Sequence, residues 1–227
     1  MNKALVFAVY VCMLWVQDAL ASLHNHQIHQ AAQIGDIHTI RELFTLADQT
    51  GINWAVECAA GNGQGDALKT IINNSKVNLF SPDQHGINIS LMRAASYGDL
   101  DIVKYLIQHS IKEVPLPDQI GINWALGAGA RAGNLEIVQY LLEHQFTHIP
   151  YPDQDEINNA ATQAALDGHL NIFHFLNSHQ VENVPYPDED IINELKEEHA
   201  PENEFVEILL DLLKESERDF PLSFQDV

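Results

Sequence analysis

Cysteine is nearly absent from this 227-residue chain. There are two, and Cys12 lies inside an N-terminal apolar run, which leaves Cys58 as the only thiol of the remainder. No internal disulfide can close there, so the fold must rest on apolar burial. Basic residues are scarce as well: 11 Lys and Arg stand against 32 Asp and Glu, for a formal charge of −21. From Pro187 onward the imbalance is fourteen acidic to three basic residues. Phosphate recognition needs Lys and Arg gathered into a patch, so nucleic acid is excluded as a partner, and an anionic membrane surface is excluded by the same sign. A protein partner with a basic surface is what such a charge permits. Catalytic signatures are missing too. No HExxH, GxSxG, phosphate-cradling GxxxxGK[ST], or GxGxxG followed by an acidic residue occurs, so neither enzymatic chemistry nor a bound cofactor is expected.

Long apolar runs are absent with one exception, residues 4–16. Thirteen residues fall short of the roughly 20 needed to cross a bilayer. Lys3 precedes the run and the small-residue sequence Ala19-Leu20-Ala21 follows it, which is the form of a secretory signal peptide over residues 1–21, cut after Ala21. The mature chain is then expected to be secreted or periplasmic, without membrane insertion. Cleavage there would leave a free amine with histidine third, Ser22-Leu23-His24, a nitrogen set able to wrap Cu(II) or Ni(II).

What the chain does have is a repeat. PDQHGIN at 82–88 returns as PDQIGIN at 117–123, PDQDEIN at 152–158 and PDEDIIN at 187–193, always 35 residues on, with a shorter copy, DQTGIN, at 48–53. A fixed period of this length marks a solenoid, whose units cannot bury their apolar faces alone. Pro, Asp and Gly give each motif its turn chemistry. Two helically spaced runs follow each turn. In the second, Leu100, Ile102, Val103 and Leu106 recur as Leu135, Ile137, Val138 and Leu141, a one-sided stripe. A glycine separates the runs, and Asp99 or Asn134 opens the second helix. Asn53, Asn88, Asn123, Asn158 and Asn193 are expected to cap the first helices. The expected fold is therefore all-α, a solenoid of about six stacked helix-turn-helix units. Their helix pairs are placed at 24–46, 53–74, 88–109, 123–144, 158–179 and 193–216. The repeats themselves cover about 22–47, 48–82, 83–117, 118–152, 153–187 and 188–217, and residues 218–227 form a tail.

The segments AASYGDLDIVKYL at 94–106 and GARAGNLEIVQYLLE at 129–143 resemble the ankyrin repeat, whose pattern here is Ala-Ala-x-x-Gly-His-Leu-Glu-Ile-Val followed by a Leu pair. AALDGHLNIFHFL at 164–176 and AAQIGDIHTIREL at 31–43 match more loosely. The units depart from the family in length, 35 residues in place of 33, and in lacking Thr-Pro-Leu-His. They also carry His109, His144 and His179 where Gly-Ala-Asp would follow the second helix. Tetratricopeptide repeats are the competing assignment, but their Trp, Gly, Tyr and Pro positions do not appear. The resemblance implies a protein-binding module that receives its partner on the concave surface made by first helices and turn tips.

Comparing the repeats with one another points to residues on that surface. Ala55, Ser90, Ala125 and Ala160 stay small, as do Ala60, Ala95, Ala130 and Ala165, so these are expected stacking contacts. Four other slots vary: Glu57, Met92, Gly127, Thr162; Cys58, Arg93, Ala128, Gln163; Gly61, Ser96, Arg131, Leu166; and Asn62, Tyr97, Ala132, Asp167. Their spacing puts them on one helical face. With the changing turn-tip slot, they nominate His85, Met92, Arg93, Tyr97, Ile120, Arg131, Asp155, Gln163 and Asp167 as partner-binding residues. Trp54 and Trp124 share a slot where packing beneath the turn is expected, with an interface anchor as the alternative. His109, His144 and His179 are expected to be structural, partly protonated at helix C-termini. The functional expectation is an exported monomer that binds a protein partner, a secreted effector being one form this could take. The alternative is an envelope scaffold, or a metal- or cofactor-handling accessory to an exported enzyme.

Overall fold

The computed structural model describes residues 3–76, 80–182, 184–191 and 193. It contains helices α1 (Lys3–Ile34), α2 (Ile37–Leu43), α3 (Gln49–Gly61), α4 (Gly65–Asn74), α5 (Gln84–Tyr97), α6 (Leu100–Gln108), α7 (Gln119–Arg131), α8 (Leu135–Glu143), α9 (Gln154–Leu166) and α10 (Leu170–Ser178). No strand occurs among the described residues, and the helices alternate as first and second members of stacked pairs. The sixth expected pair, from 194 onward, and the tail lie outside the described residues. Residues 189–191 and 193 are helical, where that pair would begin.

Each pair turns on a left-handed glycine. Gly98, at φ 91°, ends α5 and lets the chain reverse into α6, a backbone conformation that side chains other than glycine's rarely adopt. Asp99 then caps α6 by accepting from the Ile102 N–H at 2.9 Å. Asn134, expected to do the same for α8, makes no such bond. Its amide instead reaches back to the carbonyls of Ala95 and Ser96 in the preceding repeat, at 2.7 and 3.2 Å.

The core runs the length of the stack. Ile102, Val103, Leu106 and Ile107 are buried in α6, and Ile137, Val138, Leu141 and Leu142 in α8. The eight small slots from Ala55 to Ala165 are all buried as well. There Cβ-sized side chains let one first helix approach the next. Neighbouring first helices pack along most of their length, whereas the second helices from α4 to α10 barely touch their neighbours in that row. The row of first helices is therefore the short inner side of the curve and the second helices the outer side.

Two expectations about helix starts are corrected. The N-caps are the aspartates, not the asparagines. Asp48, Asp83, Asp118 and Asp153 accept from the backbone N–H three residues on, at 2.9 to 3.2 Å, so each first helix begins four residues earlier than the sequence pattern suggested. The asparagine, five residues past the cap, reaches forward into the next repeat. Asn88 Nδ2 donates to the Asp118 carboxylate at 2.7 Å, and Asn88 Oδ1 accepts from the Asp118 N–H at 3.4 Å. Asn123 and Asn158 pair in the same way with Asp153 and Asp188. Gln84 completes the joint: its Nε2 donates both to Asn88 Oδ1 and to the Leu116 carbonyl, just before the next copy of the motif. Gln49, Gln119 and Gln154 repeat that bridge. The motif is thus an inter-repeat ladder that fixes the register of the first helices.

The second correction concerns α1. It runs without interruption from Lys3, because residues 3–34 contain neither Gly nor Pro to break it, so the expected cleavage position after Ala21 falls within a helix. Asn25, inside α1, supplies an early rung of the ladder, donating to Asp48 Oδ1 at 2.8 Å and accepting from the Asp48 N–H at 3.1 Å. Among the described residues no helix is long and apolar enough to cross a membrane.

Candidate interaction surface

The ladder places α3, α5, α7 and α9 side by side, and their inner faces carry the varying slots. His85, Arg93, Tyr97, Ile120, Arg131, Asp155 and Asp167 are exposed there, and Met92 and Gln163 are half-buried. Some of them touch across repeats. The Arg93 guanidinium lies 3.6 Å from Glu57 Oε2, with its stem over Gly61. Arg131 Nε donates to Gln163 Oε1 at 3.3 Å, and the Arg131 carbonyl faces His169 Nε2 at 2.9 Å. The Tyr97 ring lies over Gly63 of the preceding repeat and is still 59% exposed. Ile120 and Asp155 stand alone at their turn tips.

Four residues gain importance that the repeat comparison did not assign them. Trp54 and Trp124 do not pack beneath the turn: they are 50% and 39% exposed on the same face as the varying slots. Their position four residues past the turn-tip slot was a readable sign, since that spacing keeps them on the tip's face of the helix. Glu57 is buried, and burial raises its carboxyl above the ordinary carboxylate value, which Arg93 and His85 only partly offset. Glu156 is half-buried and raised for the same reason, with a hydrogen bond from Asn159 and the charge of Arg131 acting the other way. Its Oε1 occupies the place a Cβ would take on Gly127, so that varying slot is dictated by packing after all. Nothing in the sequence pattern links Glu156 to Gly127, because Glu156 stands where three of the other four copies of the motif have glycine.

Cys58 is half-buried beside Glu57, and burial pushes its thiol up, away from nucleophilic character. The three histidines of the 35-residue register pack at the ends of the second helices, where burial opposes the partial protonation expected there. At the ends of α8 and α10, His144 and His179 are buried, and burial holds both imidazoles below their ordinary value. Nδ1 of each accepts a backbone N–H, from Phe146 at 3.4 Å and Val181 at 3.3 Å, while Nε2 faces the carbonyls of Pro150 and Pro185 at 3.3 Å. That pattern fits a neutral ring with its proton on Nε2. Tyr151 and Tyr186 stack on these rings, and their hydroxyls donate to the His144 and His179 carbonyls. In the preceding repeat Leu116 replaces the tyrosine. His109 is only half-buried there, its ring is also held below the ordinary value, and the nearby Pro115 carbonyl closes no hydrogen bond with its buried Nε2. Among the described residues no group of three or more His, Cys, Asp or Glu is placed to hold a metal.

The surface is thus a one-sided face of exposed aromatic, aliphatic, basic and acidic groups, with Glu57 buried and Glu156 half-buried among them. A family model describing ankyrin repeats in three copies matches residues 28–118 and again 91–186. No curated protein and no solved structure matches the chain.

Proposed function

The chain belongs to the ankyrin-repeat family, and from that premise we propose that it is an exported, non-enzymatic module that binds a protein partner on the inner face of α3, α5, α7 and α9. Ankyrin repeats are protein–protein interaction units. The observation that carries the assignment to this face is the row of exposed large side chains there, Trp54, Tyr97, Ile120 and Trp124. Tryptophan, tyrosine and arginine are the types that dominate interface hot spots, and nothing in the stack requires these side chains to be left in water. The partner presents a basic surface, complementary to a chain of charge −21. Export rests on the sequence of residues 1–21, and the module acts as a monomer of residues 22–217.

Pull-down from the native compartment tests the surface. Trp54→Ala, Trp124→Ala, Tyr97→Ala and Arg131→Ala each reduce capture of the partner, while Lys104→Ala and Gln139→Ala on the outer helices leave it intact. The reverse pattern refutes the assignment. Mass spectrometry of the secreted or periplasmic protein finds Ser22 at its N-terminus, and recovery of the intact chain from the cytosol alone refutes export.

A further inference from the structure

Two tryptophans on the inner face each stand beside a slot that holds a partly desolvated carboxylate, Glu57 near Arg93 and Glu156 near Arg131. In the first arrangement Trp54 and Glu57 are three residues apart on α3 and so share a face. Glu57 is 9% exposed, and its Oε2 meets the Arg93 guanidinium at 3.6 Å. The His29 ring of α1 flanks the indole, with centroids 6.1 Å apart. In the second arrangement the residue three past Trp124 is Gly127, and a carboxylate is restored from outside. Glu156 of the next repeat puts its Oε1 where the Gly127 side chain would begin, held there by Asn159 Nδ2 at 2.9 Å. The repeat between them carries Ile89 and Met92 in the same two slots. Along the face the slots read tryptophan with acid, aliphatic with aliphatic, then tryptophan with acid.

We propose that this face binds an extended basic segment of a protein partner, with one Lys or Arg side chain seated in each tryptophan–carboxylate site and an apolar side chain between them over Ile89 and Met92. The inference rests on the inner-face reading above and adds the partner's chemistry. A cation over an indole is favoured, more so where water is excluded, and a carboxylate already stripped of water gains most from a positive neighbour. The charge of −21 draws a basic segment in and turns an acidic one away. The geometry also sets the spacing. Packed helices lie about 8–10 Å apart, so sites two repeats apart are separated by roughly 20 Å. An extended chain advances about 3.3 Å per residue, which puts the two cationic residues about six positions apart.

The test uses full-length protein and capped synthetic peptides with two arginines six positions apart, a central leucine and an otherwise Ala/Ser sequence, titrated by calorimetry at low ionic strength. Saturable binding is expected at up to millimolar peptide. Replacing both arginines by citrulline, which keeps the shape and removes the charge, weakens it about tenfold or more. Moving them to two positions apart weakens it comparably, because only one site can then be filled. Trp54→Ala, Trp124→Ala, Glu57→Gln and Glu156→Gln each weaken it about three- to tenfold. The two Glu→Gln variants are nearly isosteric, and an unchanged thermal midpoint shows that the loss is not unfolding. Absence of binding, equal binding of the citrulline peptide, or wild-type binding by all four variants overturns the proposal. If the peptides fail while the captured partner still requires Trp54 and Trp124, the inner face stands and its cationic chemistry falls. If capture too is indifferent to those residues, both readings fall.

Discussion

Gly86→Ala is the sharpest test of the ladder, because two effects of opposite sign meet at one methyl group. Gly86 lies within α5 in ordinary helical conformation. On propensity alone alanine should therefore stabilise by up to about 1 kcal/mol. A Cβ at this position, however, would sit 2.7 Å from Asn53 Oδ1, 2.9 Å from its Cγ and 3.3 Å from its Cβ. The asparagine cannot simply swing aside, since its Oδ1 accepts from the Asp83 N–H and from Gln49 Nε2, both at 3.1 Å. Losing two such bonds costs about 1 kcal/mol each, and residual overpacking adds about 1–3 kcal/mol. The loss outweighs the propensity gain, and the net expectation is destabilisation of about 2–4 kcal/mol. Urea denaturation followed by circular dichroism measures it, with the slope checked because a solenoid can depart from two-state behaviour. The double variant Asn53→Ala, Gly86→Ala removes the obstruction, so a mutant cycle should show a coupling of about 1–2 kcal/mol. A raised midpoint for Gly86→Ala, or strict additivity in the cycle, refutes the account of the motif.

Stability should fall on mild acidification. His109, His144 and His179 are all depressed in the fold, so the unfolded chain takes up protons first. The stabilisation is complete above the ordinary imidazole value of about 6.5 and is lost as pH drops through it toward the folded values. Urea midpoints between about pH 7 and pH 5 check this, and His144→Gln with His179→Gln should flatten the profile. Leu116→Tyr, which copies the neighbouring repeats by covering His109 and supplying a hydroxyl for its carbonyl, should stabilise by about 0.5–1.5 kcal/mol, and Tyr151→Phe should cost a similar amount. Ala95→Leu should cost about 1–3 kcal/mol by overpacking, since Ala95 is fully buried and faces Gly129 of the next repeat.

Much of the fold was legible because solenoid order is local. The 35-residue period, the helix pairs, the aliphatic stripe of the second helices and the small stacking slots each follow from contacts within a unit or from side-chain size. The role of the asparagine was not legible in the same way. A short amide near a helix start reads as a cap, whereas the partner it bonds is an aspartate 30 residues on, whose own position identifies it only as turn chemistry. The tryptophans were misplaced for a different reason: their four-residue spacing from the turn tip did mark the face they share with it, but a large apolar residue beside a turn is ordinarily read as packed.

It follows that each motif copy serves two repeats at once, and that a departure from the motif should be felt at the joint with the preceding repeat as well as in its own helix. The copies that lose glycine show this. With Gly121 in place, Asn88 Nδ2 and the Gly121 N–H converge on the same carboxylate oxygen of Asp118. With Glu156 in that position, Asn123 moves to the other oxygen of Asp153, and α9 packs less closely on α7 than α7 does on α5. The ladder survives without its glycine, with a looser joint between α7 and α9. The same substitution puts a carboxylate on the inner face beside Trp124, so the residue that slackens the joint is also the one that gives the proposed binding surface its second charge.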